Sequence, residues 1–184
     1  MQVTLIATDI DGPSDIASTT YGLDGRSVIG DGTPFTVSGD GIHSMVFGSV
    51  DRAGNAETPR PSQTFKLDST PPAVGCSANP NTLWPPNGKL VTVTVTGRIT
   101  DAISGVDPSS VKFAVKDEYG QVQPGGIVTP GAGGGYSFHV SLVADRNGND
   151  KDGRIYTIIV HGKDMAGNTG SCSAVVTVPH DQAH

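Results

Sequence analysis

The sequence predicts an all-β chain of two tandem β-sandwich domains, and three observations support this fold class. Strand-like segments recur about every 8–12 residues, separated by Gly, Asp, Asn and Pro, as in β-sandwich proteins. Of the 184 residues, 25 are Gly and 13 are Pro, whereas 35% are hydrophobic and 5% are aromatic. No long segment repeats its apolar positions with the 3.6-residue period of an amphipathic helix. Together these features favour short strands around a thin core.

The first predicted domain covers residues 1–68. A tight Asp24-Gly25 turn and a D-R-A-G-N turn at 51–55 interrupt its apolar segments. The expected strands are 3–8, 18–23, 34–37, 42–50 and 63–67, with a loop at 9–15. Pro71 and Pro72 follow, and because proline cannot donate to a β-ladder and stiffens the chain, they predict the domain boundary.

The second predicted domain covers residues 73–180 and repeats this plan. Segment 90–100 alternates Val with Thr, which predicts a strand with one buried and one exposed face. A D-M-A-G-N turn at 164–168 matches the turn at 51–55, so both domains are expected to contain the same hairpin. The expected strands are 73–78, 90–100, 111–116, 126–128, 136–144, 155–162 and 173–178.

The repeated motifs resemble those of immunoglobulin-like tandem repeats in bacterial extracellular proteins. Thr-Asp at 8–9 and 100–101, the two D-x-A-G-N turns and L-D-S-T-P-P at 67–72 carry this resemblance. The second domain is similar to modules of the hyalin-repeat type, through L-W-P-P-N at 83–87, D-R-N-G-N at 145–149 and V-P-H-D-Q at 178–182. The resemblance implies two immunoglobulin-like sandwiches, the first lacking its first strand, in a secreted or cell-surface protein.

The resemblance is specific for fold and location rather than for function, because such repeats serve as spacers, adhesins and appendages to enzymes. The expected function is structural or adhesive. The expected partners are neighbouring domains or subunits of the same protein, with polysaccharide or a cell surface as further candidates. Two alternatives stay open, a polysaccharide-binding module and a filament subunit assembled by strand complementation at the short first domain. The histidines are scattered and no G-x-S-x-G elbow occurs, so we expect no catalytic residues and no enzyme activity.

Charge and hydropathy exclude other classes of protein. The net charge of −6 comes without clustered Lys and Arg, which disfavours nucleic acid as a partner. No 18-residue apolar run occurs, so we expect no membrane-spanning helix. The first residues carry no basic or long apolar stretch, and we therefore expect no signal peptide in the sequence as given.

Cys76 and Cys172 are the only cysteines, and neither lies in a spacing typical of zinc sites. In an immunoglobulin-like order of strands, they lie in the first and last strands of the second domain. These two strands run side by side, so we expect a disulfide and an oxidising compartment.

Aspartates gather in the loops, and two groups of them are candidate Ca²⁺ sites because Ca²⁺ prefers oxygen ligands. An inter-domain site would use Asp68, Asp101, Asp107, Asp164 and Asn168. A loop site would use Asp145, Asn147, Asn149, Asp150 and Asp152. The loop is no EF-hand, because its sixth position is Asp150 and its twelfth is Tyr156. The alternative is that each Asp caps its own turn.

Trp84 is the candidate contact for a polysaccharide, since sugar-binding faces use exposed aromatic rings. Tyr21, Tyr119, Tyr136 and Tyr156 are further candidates for such a platform. A single Trp packed against a core or a domain joint is the competing interpretation.

Overall fold

The structure is a computed structural model that describes residues 1–8, 15–30, 33–58 and 60–181, without the side chains of 27–30. The described residues form thirteen β-strands and one short 3₁₀ turn, which confirms the all-β fold class. No helix among them is long and apolar enough to span a bilayer. The chain divides into two compact units, Met1–Ser69 and Thr70–His184.

The first unit contains a four-stranded antiparallel sheet in the order β3-β2-β5-β6 and a two-stranded sheet of β1 and β4. Asp24 and Gly25 both have positive φ, at 50° and 79°, as a tight two-residue hairpin requires. Sequence analysis identified this turn but not β3, which follows it. The strands are β1 (Gln2–Val3), β2 (Ile16–Leu23), β3 (Arg26–Gly30), β4 (Phe35–Thr36), β5 (Gly41–Asp51) and β6 (Ser62–Leu67).

The expected strand at 3–8 is wrong beyond its first residue, because β1 ends at Val3. Residues 4–8 keep a strand-like alternation of exposed and half-buried side chains but pair with no described strand. The physical reason is that the small sheet offers only the two residues of β4 as partners. The expected loop at 9–15 lies, except for Asp15, outside the described residues.

The core of the first unit is small. Among its described residues, Val37 and Met45 are the buried hydrophobic side chains. Tyr21 and Phe35 add one stacked pair, with ring centroids 3.9 Å apart. This unit therefore has little apolar burial to offset the entropy of ordering its chain.

The second unit is a sandwich of a three-stranded sheet, β11-β8-β7, and a four-stranded sheet, β10-β9-β12-β13. Every pairing within the two sheets is antiparallel. The strand predicted at 90–100 is confirmed residue for residue, whereas β9 begins at Val106, earlier than the expected residue 111. The strands are β7 (Ala73–Asn79), β8 (Leu90–Thr100), β9 (Val106–Asp117), β10 (Gly125–Ile127), β11 (Gly135–Val143), β12 (Arg154–Asp164) and β13 (Thr169–Val178).

The core of this unit lies between its two sheets. Val93, Val95 and Ile99 of β8 are fully buried there, and Ile158 and Val160 of β12 come from the other sheet. The alternate residues of β8, several of them Thr, face outward and are exposed or half-buried. The two-residue period thus places the β-branched residues where the sequence analysis expected them.

Candidate functional site

Cys76 in β7 and Cys172 in β13 form a disulfide, with their Cα atoms 6.0 Å apart. Thr82 and Thr177 form a parallel bridge further along, so the first and last strands of the unit run side by side in the same direction. The N–H of Leu83 donates to the carbonyl of Thr177 over 2.9 Å. The crosslink therefore fastens the two ends of the second unit to each other.

The turns at 101–105 and 164–168 lie together at one end of the sandwich. The N–H of Met165 donates to the carbonyl of Gly105 over 2.8 Å. Carboxylate oxygens of Asp101 and Asp164 lie within 4.8 Å of each other, and Asp164 is only 2% exposed. We call Asp101 and Asp164 the carboxylate pair. Two nearby carboxylates repel each other, and a bound cation would offset that repulsion.

Both carboxylates also stabilise their own turns. Asp164 accepts hydrogen bonds from the backbone N–H and the side-chain amide of Asn168, at 2.9 and 2.8 Å. Asp101 accepts from the N–H groups of Ile103 and Gly105, at 3.0 and 2.8 Å. The turn-capping interpretation and the metal interpretation are therefore compatible, because each carboxylate has further lone pairs.

The D-x-A-G-N turn has the same hydrogen bonds in both units. Asp51 accepts from the N–H and the side-chain amide of Asn55, at 2.7 and 2.6 Å, as Asp164 does from Asn168. The hydrogen bond from the Asn55 side chain, helped by backbone N–H groups, lowers the pKa of Asp51. The repeated motif thus forms the same turn in both units. The burial of its Asp differs, because Asp51 is half-buried and Asp164 is buried.

The other expected inter-domain ligands take different places. Asp107 caps its own turn, accepting from the hydroxyl and the N–H of Ser109 at 2.7 and 3.0 Å, and these bonds lower its pKa. Within the described residues it does not join the carboxylate pair at the 4.8 Å separation. The side-chain amide nitrogen of Asn168 is taken up by Asp164. Asp68 belongs to the first unit, so its role as a ligand stays a prediction.

The candidate loop site between β11 and β12 is held by internal hydrogen bonds. Asp150 accepts from the Tyr119 hydroxyl and from the N–H of Gly153, the latter over 2.9 Å, and the Tyr119 bond is the main cause of its lowered pKa. Asp145 accepts from the N–H of Arg146. In the described part of the chain, Asp145, Asp150 and Asp152 do not form a group whose oxygens all lie within 4.8 Å of one another. A calcium ion in this loop, with Asn147 and Asn149 as further ligands, stays a prediction.

Arg154 and Asp117 form a buried ion pair that the sequence did not predict, with side chains that are 3% and 0% exposed. Arg154 donates from two nitrogens to the two oxygens of Asp117, each over 2.8 Å, and from one of them to Gln121. Its guanidinium carbon lies 4.7 Å from the ring centroids of both Tyr119 and Tyr156. No sequence motif indicates this cluster, since its members come from different strands and a turn.

The proposed aromatic platform is wrong for two of its members. Tyr136 and Tyr156 are 6% and 0% exposed, and their hydroxyls donate to the carbonyls of Gly75 and Val143 inside the unit. They therefore belong to the core. Trp84 is 40% exposed, and Tyr21 and Tyr119 are half-buried. Polysaccharide binding through these three rings stays a prediction.

A surface groove lies in each unit. In the first unit a groove of about 680 Å³ lies between residues 4–8 and strands β2 and β5, and includes Phe47 in its lining. In the second, a groove of about 490 Å³ lies between Arg98–Asp101 and the glycine-rich turn at 130–134. The first groove adjoins the unpaired segment 4–8, so it is where strand complementation, which stays a prediction, would occur.

Fold and site together define the second unit as an all-β sandwich whose terminal strands are joined by a disulfide. No family model and no curated protein matches the chain. It is similar to the fibronectin(III)-like modules of Clostridium thermocellum CbhA, with 16% identity and a TM-score of 0.45 over 100% of this chain and 90% of that chain. It is also similar to a Ca²⁺-stabilized adhesin that helps an Antarctic bacterium bind ice, with 22% identity and a TM-score of 0.48 over 96% of this chain and 42% of that chain. The fold class itself rests on the strands and sheets described above.

Proposed function

We propose that this chain is a non-enzymatic, extracellular structural or adhesive module whose second unit cannot be fully extended when it is pulled through its ends. The observation that carries the proposal is the disulfide between β7 and β13. Disulfides persist in oxidising compartments, which supports a secreted or cell-surface location. In that role the module links or presents the neighbouring domains or subunits that are its expected partners.

The position of the crosslink explains how tension passes through the second unit. Force applied at its two ends enters through β7 and leaves through β13. Cys76 is the fourth residue of β7 and Cys172 the fourth residue of β13, so the covalent path bypasses the residues between them, a sequence separation of 96. Tension can then peel only the segments outside the crosslink, which include the part of β13 after Cys172, and the segment between the two cysteines is not extended.

Single-molecule stretching of the whole chain through its termini tests this proposal. In the native, oxidised protein, unfolding should never release the segment between the two cysteines. With reductant, the same molecule should gain about 340 Å of extra contour length, at ~3.5 Å for each of the 96 residue spacings. Full release in the oxidised protein would contradict the proposal.

We further propose that a calcium ion binds at the carboxylate pair and stabilises the module. Asp101 and Asp164 supply two carboxylates from separate turns, and the low exposure of Asp164 makes charge compensation valuable. Asp68, which precedes the first residue of β7 by five positions, would supply a third ligand. Such an ion would order the segment around Pro71 and Pro72 and stiffen the chain there.

Calcium should therefore raise the melting temperature of the intact protein, and chelator should reverse the rise. At a free Ca²⁺ concentration of a hundred times Kd, the expected stabilisation is about 2.7 kcal/mol. Calorimetry should show the shift reduced in Asp101→Asn and Asp68→Asn but kept in the matched control Asp107→Asn. A shift abolished by Asp150→Asn alone would move the ion to the loop, and no shift at millimolar Ca²⁺ would refute the site.

A further inference from the structure

Strand β11 forms an open edge of the second unit. It runs over nine residues, Gly135–Val143, and among the described strands its only neighbour in the sheet is β8. The other edges of this unit differ, since β7 and β13 lie side by side under the disulfide and β10 is three residues long. In the described part of the chain, no backbone group of residues 136–142 takes part in a backbone hydrogen bond outside the β8 ladder.

This edge lacks the devices that normally prevent strand addition. Edge strands are usually protected by charged side chains, prolines or bulges. The sequence of β11, G-Y-S-F-H-V-S-L-V, contains no Lys, Arg, Asp, Glu or Pro. Its nine pairs with β8 run without a register shift, so it carries no bulge. A long, regular and uncharged edge is a ready template for another strand.

The side-chain pattern of β11 is nearly symmetric about its central residue, His139. Ser137 and Ser141 flank His139 at the same spacing, and all three are exposed. The alternate residues of the strand face the core, and they are apolar both before and after His139, namely Tyr136, Phe138, Val140 and Leu142. In an antiparallel pair of two such strands, exposed polar residues therefore lie opposite exposed polar residues, and apolar residues lie opposite apolar residues.

We propose that β11 pairs with β11 of a second copy of this chain, antiparallel and across a two-fold axis at His139. Ser137 then lies opposite Ser141 of the other copy, and core-facing residues lie opposite core-facing residues. The two three-stranded sheets become one sheet of six strands. This association goes beyond the proposed structural role, because it joins separate molecules side by side.

The register follows from two physical requirements. A centre at His139 opposes all nine residues of the strand, so it forms the largest number of ladder hydrogen bonds. A shift by one residue would place exposed serines opposite core-facing side chains and disrupt both faces. Because the strand contains no Asp, Glu, Lys or Arg, self-pairing brings no carboxylates or ammonium groups together.

Sedimentation equilibrium of the oxidised full chain and of two double variants tests the pairing. Wild type should dimerise reversibly with concentration. Ser137→Lys with Ser141→Lys opposes lysine to lysine twice and should weaken dimerisation by about tenfold or more, whereas Ser137→Lys with Ser141→Glu creates two opposite-charge pairs and should keep it. Ser173→Lys, at an exposed position of β13, is the control for an added charge and should leave the dimerisation constant unchanged.

Cysteine crosslinking tests the register separately. Directly opposite residues in an antiparallel pair have Cα atoms about 4.5–5.5 Å apart, which a disulfide spans. His139→Cys should therefore form an intermolecular disulfide, while Ser137→Cys, about 13 Å from its own copy, should not. The variants' folds are checked by urea unfolding. A wild type that stays monomeric at all concentrations overturns the proposal, and so does crosslinking of Ser137→Cys in place of His139→Cys.

Discussion

Replacing Asp117 by alanine is expected to lower the free energy of unfolding of the second unit by about 3–5 kcal/mol. The change leaves the guanidinium of Arg154, 3% exposed, without the carboxylate that accepts two of its hydrogen bonds. An uncompensated buried charge is among the costliest single defects in a folded domain. Urea unfolding followed by fluorescence measures this unit by itself, because Trp84 is the only tryptophan and lies within it.

Two further variants separate burial from charge. Asp181→Ala removes a hydrogen bond with the His180 ring at a carboxylate that is 83% exposed, and it should cost less than about 1 kcal/mol. Replacing both buried partners, as Asp117→Leu with Arg154→Met, should recover much of the loss, since no buried charge is left. Equal losses for Asp117→Ala and Asp181→Ala would contradict the prediction.

The same pair predicts how stability depends on pH. Burial by itself would raise the pKa of Asp117, but the hydrogen bonds from Arg154 and from the N–H of Gln121 outweigh burial, and the pKa is lowered. A carboxyl whose pKa is lower in the folded state contributes its full stabilisation above the unfolded pKa, about 3.9. That contribution should disappear as the pH falls through the lower folded-state pKa, and Asp117→Ala should lack this part of the acid dependence.

Reducing the disulfide is expected to lower the free energy of unfolding of the second unit by up to about 4–5 kcal/mol. The two cysteines are 96 positions apart, so breaking the link restores a large loop to the unfolded ensemble. Trp84 fluorescence in urea, with and without reductant, measures the difference. The double variant Cys76→Ala with Cys172→Ala should match the reduced protein and show no response to reductant. Two titratable thiols in the native, unreduced protein would contradict the prediction.

The strands that could be predicted are those whose burial follows the local two-residue period. Segment 90–100 was predicted without error, because its Val and Thr residues alternate between core and solvent. The same period misled at 4–8, where the alternation is present but no described strand lies beside it to form a ladder. A β-strand needs a neighbouring strand to pair with, and the periodicity of a segment gives no information about whether that neighbour is present.

The candidate site also contains features that the sequence predicted and features that it did not. The pairing of Cys76 with Cys172 followed from an assumed strand order, and the same order placed the turns of Asp101 and Asp164 at one end of the sandwich. Asp107 lies in that region of the sequence too, yet its carboxylate does not join those of Asp101 and Asp164 within 4.8 Å in the described part of the chain. Sequence position does not show which carboxylates come that close together.

By itself the sequence determined the fold class, most strands, the repeated turn and the disulfide, because these depend on residue type and on local or topological rules. Only the tertiary structure decided which polar and aromatic side chains are buried. Arg154 and Asp117 are separated by 37 positions, and Tyr136 and Tyr156 read equally well as surface or core residues. Their burial depends on neighbours from distant strands, so it emerges only once the sheets pack against each other.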